Sequence, residues 1–148
     1  MNAKKIKKHF RFVGMKGKGA FADFGEEIPR AARQFLVRSG EVGQSSGTEM
    51  AIYEPKRDAA HLEGTYYVGM MVNRIPKEVP TGMDTMEVKQ DYATVSGPIS
   101  QIGSLHDMLV KWTVDNGYKR NPGAFIVETY HPLENGEENV EIFLPIHS

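Results

Sequence analysis

The residue with the clearest capacity for chemistry is Glu128, set in the stretch AFIVETYHP that runs from Ala124 to Pro132. That run otherwise reads as a buried β-strand, so its carboxylate is either a surface group at a sheet edge or the one charge in a pocket built for something positive. Other reactive types carry less. The five histidines, His9, His61, His106, His131 and His147, show no i, i+4 pairing and no glutamate-containing zinc signature, so no metal site is expected. Ser104, His106 and Asp107 are near in sequence but point to different faces of a helix, so no catalytic triad follows. GKGAFA, Gly17 to Ala22, fits a G-x-G-x-x-A pattern after a strand and before a helix. The acid that a dinucleotide ribose requires is poorly placed, Glu54 being too distant, and alternating β-α units are lacking. Those glycines are expected to serve a tight bend, and no cofactor is expected. The chain has no cysteine, which removes disulfides, thiolate catalysis and cysteine-based metal sites.

The 148 residues and 16.6 kDa suit one domain, 1–148, with 40% hydrophobic and 25% charged residues, a composition typical of soluble globular proteins. A formal net charge of -1 argues against broad attraction to nucleic acid or anionic membrane. The basic run KKIKKHFR, Lys4 to Arg11, reads as a solvated arm and is too short for a helix-turn-helix unit. No apolar stretch of signal-peptide length follows the N-terminus, and the longest apolar run, YYVGMMV, is far below the ~20 residues of a membrane span. A cytoplasmic location is expected.

The elements that must position Glu128 follow from periodicity. Period-two apolar segments predict strands at 9–15, 48–54, 65–72, 90–96, 124–130 and 139–146. Helical spacing predicts one helix from about Phe24 to Ser39, with Ile28, Ala32, Phe35 and Leu36 on one stripe, and another from about Ser100 to Asn116, with Ile102, Leu105, Leu109 and Trp112. Gly40 and Gly117 are the expected stops. The order is β-α-β-β twice over, and a single offset relates Gly40 to Gly117, Phe35 to Trp112 and Pro55 to Pro132. The fold class is therefore α+β: duplicated β-α-β-β units, about 9–72 and 88–146, forming an antiparallel sheet with two helices on one face. Segment 73–87 reads as an irregular linker, and 38–47 as a mobile glycine- and serine-rich loop.

Strand alternation then sorts the faces. Val140, Ile142, Leu144 and Ile146 are assigned to the helix-covered core, with Phe125, Val127 and Thr129 beside them. The opposite, free face gathers Tyr53, Tyr67, Met71, Ile126, Tyr130 and Phe143 around Glu128. An aromatic patch of that kind marks a binding surface, and rings around one carboxylate favour a flat, greasy, cationic or hydrogen-bond-donating guest. The plainer reading stands beside it: a glutamate on the outer face of an antiparallel strand needs no ligand.

At this point the residues resemble a family. YYVGMMV, VPTGM at Val79 to Met83, Tyr92, the helix with Trp112, NGY at Asn116 to Tyr118, VETYHP at Val127 to Pro132 and the closing EIFLPI are similar to the GyrI-like, or AraC-type effector-binding, domain. The resemblance spans most of the chain from Phe10 onward. It implies a ligand cleft between the halves that takes lipophilic cations, a multidrug-binding habit related to transcription regulation, and Glu128 as the carboxylate that meets the guest. Trp112, Tyr67, Tyr92, Tyr130 and Phe143 are the expected walls, with Met71, Tyr53 and Ile126 nearby. Many relatives carry a DNA-binding domain, whereas this chain resembles the stand-alone members. Binding without chemistry, as an effector-binding or toxin-protection protein, is one expectation. Hydrolysis of cyclopropane-containing or other electrophilic molecules with Glu128 as general base is a second. A module that contacts a separate regulator or a topoisomerase is a third.

Overall fold

The computed structural model describes residues 2–43 and 45–147. The architecture is α+β, in the order β1 (Lys4–Ala20), α1 (Phe24–Leu36), β2 (Ser45–Tyr53), β3 (Glu63–Val72), β4 (Asp84–Pro98), α2 (Ile102–Asp115), β5 (Ile126–Pro132) and β6 (Glu138–Ile146). All strand pairings are antiparallel, and the sheet closes on itself as β1-β3-β2-β5-β6-β4. The two helices lie on its outer face, because a barrel of six strands has room inside only for side chains. α1 packs on β1 and β3, and α2 on β4 and β6, so each helix covers its own half.

Three apolar clusters result. One lies under α1 and includes Phe24, Ile28, Phe35, Ala51 and Val68. Its counterpart lies under α2 and includes Leu105, Leu109, Ile126, Val140, Ile142 and Leu144. The third fills the barrel with Phe10, Phe12, Met50, Ile52, Tyr92, Val127 and Phe143. Both faces of the strands are therefore apolar, and burial of the whole set is the main stabilising term at roughly 25 cal/mol per Å².

Several boundaries differ from the sequence reading. The basic run is no arm: Lys4 to Arg11 form the first half of β1, paired with β4 through Lys4↔Thr94 to Arg11↔Glu87. β4 likewise begins at Asp84, inside the segment read as linker. In the 38–47 loop, Ser39–Glu41 form a 3-10 turn and Ser45 already belongs to β2, while Gln44 lies outside the described residues. Gly117, at φ 78°, closes α2 as expected, with its N–H on the Val114 carbonyl. Gly40 does not close α1, which ends at Leu36.

The glycines of GKGAFA serve no bend. Gly17 and Gly19 sit in extended β1, where an added Cβ would lie 2.4 Å from the Tyr66 ring and 2.1 Å from the Glu27 carboxylate. Backbones also approach closely: Gly14 pairs with Gly69, and a Cβ on Gly69 would stand 2.2 Å from the Val13 carbonyl oxygen, which, unlike a side chain, cannot swing away. Gly69→Ala is expected to lower stability by about 1 to 3 kcal/mol, the usual cost of overpacking, whereas Gly103→Ala in open space on α2 should raise it by up to about 1 kcal/mol. Urea midpoints at unchanged slope check both.

Candidate functional site

β2 and β5 run side by side along the seam between the halves, and their register sets Ala51 directly opposite Glu128. The offset that relates these two residues also relates Tyr53 to Tyr130. A pseudo-twofold axis thus passes between Ala51 and Glu128, with one tyrosine on each side. Directly paired residues share a face and alternate residues return to it, so Ala51, Tyr53, Glu128 and Tyr130 all point outward beneath the helices. Tyr53 and Tyr130 pack against both helix-side cores and bridge them.

This corrects the face assignment made from sequence. Glu128 pairs with Ile142 and Val127 with Phe143, so Ile126, Glu128 and Tyr130 belong to the helix side, while Phe125 and Val127 face the barrel. The wall expected around Glu128 is accordingly split. Tyr53, Tyr130 and Ile126 share its face, whereas Tyr67, Met71, Tyr92 and Phe143 line the barrel interior. Trp112 stacks on Tyr118 at 5.7 Å, about 9 Å along α2 from His106 at 1.5 Å per residue. Lys5 sits over the Tyr118 ring at 5.7 Å.

Glu128 is 5% exposed, and its carboxylate is met by three side-chain donors. Oε1 accepts from the Tyr130 hydroxyl at 2.6 Å. Oε2 accepts from the Tyr53 hydroxyl at 2.7 Å and from His106 Nε2 at 2.6 Å. Tyr53 Oη and His106 Nε2 are themselves 3.2 Å apart. Burial raises the Glu128 pKa, but the hydrogen bond and charge of His106 and the two phenol hydrogen bonds outweigh it, and the net direction is down. The phenols move the other way: burial, then the Glu128 charge and hydrogen bond, holds Tyr53 and Tyr130 well above the usual tyrosine range.

His106 is the participant that sequence reasoning missed. It stands next to Leu105 on the buried stripe of α2, where the same offset places Pro29 in α1. A polar residue adjacent to the stripe, matched by proline in the other half, was the available signal. The pair Tyr53 and Tyr130 was legible from the offset itself.

No protein-family model and no curated protein matches the sequence. Solved structures do match in three dimensions. SAV2435 bound to tetraphenylphosphonium superposes with a TM-score of 0.74 at 12% identity, over 100% of this chain and 95% of that one. An integron cassette protein from the mobile metagenome of Vibrio cholerae gives 0.67 at 15%, over 99% and 95%. The EcmrR C-terminal domain gives 0.63 at 17%, over 100% and 99%. The chain shares its overall fold with these proteins.

Two outcomes follow from the cluster. Tyr53→Phe and Tyr130→Phe each remove a hydrogen bond to a charged acceptor and should each cost about 1.5 to 3 kcal/mol in chemical denaturation. The lowered Glu128 pKa adds stability that is complete above the unfolded carboxylate value of about 4.3 and is lost as pH falls through the folded value. Glu128→Gln should therefore flatten the acid side of the stability profile, measured as the urea midpoint from pH 7 down to pH 3.

Proposed function

We propose that this chain binds small, lipophilic, cationic or aromatic molecules at the seam between its halves, with Glu128 as the charge anchor, in an effector-binding or toxin-protection role. The observation that carries the reading is a buried carboxylate held only by side chains, each mounted on a ring that is itself partly exposed. No backbone donor fixes the carboxylate in that set, so rotation of a side chain suffices to free an oxygen. Oε2 has two donors, and His106 comes from α2 rather than from the sheet. A cationic guest can replace His106 on Oε2 while the two phenols keep their places. Their rings, with Phe24 packed edge-on against Tyr53 at 6.0 Å, offer faces that attract a cation by about 0.5 to 2 kcal/mol each.

The direction of the carboxylate pKa supports binding over turnover. An anchor must be anionic at neutral pH, whereas a general base works best with its pKa raised toward the working pH. That SAV2435, with the same fold, is bound to tetraphenylphosphonium supports the class of guest.

Titration calorimetry with tetraphenylphosphonium tests the proposal. Glu128→Gln should weaken binding by roughly 2 to 5 kcal/mol, the cost of truncating one partner of a buried charge pair, and His106→Ala should strengthen it by removing the internal competitor. Equal affinities in wild type and Glu128→Gln overturn the reading. Protection is tested separately, by whether bacteria expressing the chain tolerate more tetraphenylphosphonium than bacteria expressing Glu128→Gln.

A further inference from the structure

The basic run at the start of β1 keeps one edge without a strand. Lys4 to Arg11 pair with β4, but β1 meets β3 only from Phe12 onward. Among the described residues, Lys4 to Phe10 make no backbone–backbone hydrogen bond outside the β4 ladder. Alternate residues of an antiparallel strand turn their N–H and C=O groups to the same side, so about half of the backbone groups of this stretch face away from β4. In the closed order β1-β3-β2-β5-β6-β4 the β1–β4 pair lies across the sheet from the β2–β5 seam, so this edge is separate from the Glu128 site.

The side chains along it are cationic on both faces. Lys5 lies over the ring of Tyr118, which packs against the core beneath α2, whereas Lys8 lies at 5.9 Å over the ring of Phe10, which fills the barrel. Alternation adds Lys7 to the first face and Lys4 to the second. All four lysines are exposed, and none of them forms an ion pair among the described residues. The facing stretch of β4 compensates little. Glu87 is taken by His9 at 2.9 Å and Arg11 at 3.1 Å, Asp91 is buried, and Lys89 adds a further cation. In a chain of net charge -1 this is a local excess of positive charge.

We propose that the free edge of Lys4–Arg11 is a docking surface for an extended acidic segment of a partner protein, which adds to the sheet as a strand. A peptide backbone completes the row of unspent N–H and C=O groups that such an edge presents. A single charge is enough to deter stray pairing, and here there are four. They repel a second copy of this chain, whose own lysines would come to stand opposite, and attract a segment rich in Asp and Glu. Because the cations project from both faces, acids are matched at successive positions and not only at alternate ones. A nucleic-acid strand or a phospholipid surface fits less well, since phosphates accept hydrogen bonds but give the edge carbonyls no donor. The stretch spans about 26 Å at roughly 3.3 Å per residue, the length of about eight residues of partner. Acidic runs of that length are disordered when free, which leaves their backbone open to pairing.

The test is fluorescence-anisotropy titration of the full chain, at low ionic strength, with a labelled, end-blocked peptide of about eight glutamates. Saturable binding is expected, together with slowed amide hydrogen exchange at Lys4 to Phe10. Two further peptides carry N-methyl groups on every second residue, in the two alternate phases. One phase should bind like the parent and the other about tenfold or more weakly, because only one phase removes the donors that face the edge. Replacing Lys4, Lys5, Lys7 and Lys8 together by Gln should weaken binding about tenfold or more. Replacing Lys16 and Lys18, on the half of β1 that is paired on both sides, should leave it within about twofold. If the fourfold variant loses native amide dispersion, Lys5→Gln with Lys8→Gln decides, one cation being removed from each face. Equal binding of both N-methylated phases, tighter binding of an oligothymidylate of equal charge or of phosphatidylserine vesicles, a self-dimer that the lysine substitutions disperse, or absence of saturable binding overturns the proposal.

Discussion

A single buried carboxylate on the seam between two similar halves organises this molecule. Taking Glu128 out of water costs several kcal/mol unless its oxygens are satisfied, and the sheet supplies two phenols from symmetry-related positions to do so. The third donor comes from a helix. That division makes the cluster a clasp holding β2, β5 and α2 together. Rigid strands fix where the charge stands.

The closed sheet makes this arrangement feasible. With the interior filled by Phe10, Phe12, Tyr92, Phe143 and their neighbours, the barrel needs no helix for closure. Each helix covers only its own half, and β2 and β5 form the line where the two helix-side cores meet. The outward tyrosines straddle that line, which places the polar cluster at the border of two apolar cores and in the midst of neither.

Much of this was legible before any coordinates. The duplicated order, the two helices and the central parts of all six strands followed from periodicity, and the offset between halves reappears as the Ala51–Glu128 pairing. What failed was the choice of face. Alternation tells which residues share a side but not which side is covered, and in a closed barrel both sides are apolar: Val127 and Ile126 are equally plausible as core residues because both are core. The ends of β1 and β4 were missed for a related reason. Lys4, Lys5, Lys7 and Lys8 look like a solvated tail, yet ladder hydrogen bonds to β4 hold the backbone whatever the side chains do. The glycines at 17 and 19 were misread because the rings and carboxylate lying over them come from other elements.

The pairing of Ala51 with Glu128 has a bearing on how such a molecule can be assembled. Side chains directly opposite on an antiparallel ladder stand about 4.5 to 5.5 Å apart at Cβ. A dimer of two identical half-length chains would set either two carboxylates or two methyl groups against one another across its axis: mutual repulsion in the first case, no charge in the second. Tandem fusion lets the repeats diverge at that one spot, so that alanine yields the space and glutamate keeps the charge. One acid on a dyad is an option that covalent continuity opens and exact symmetry forbids.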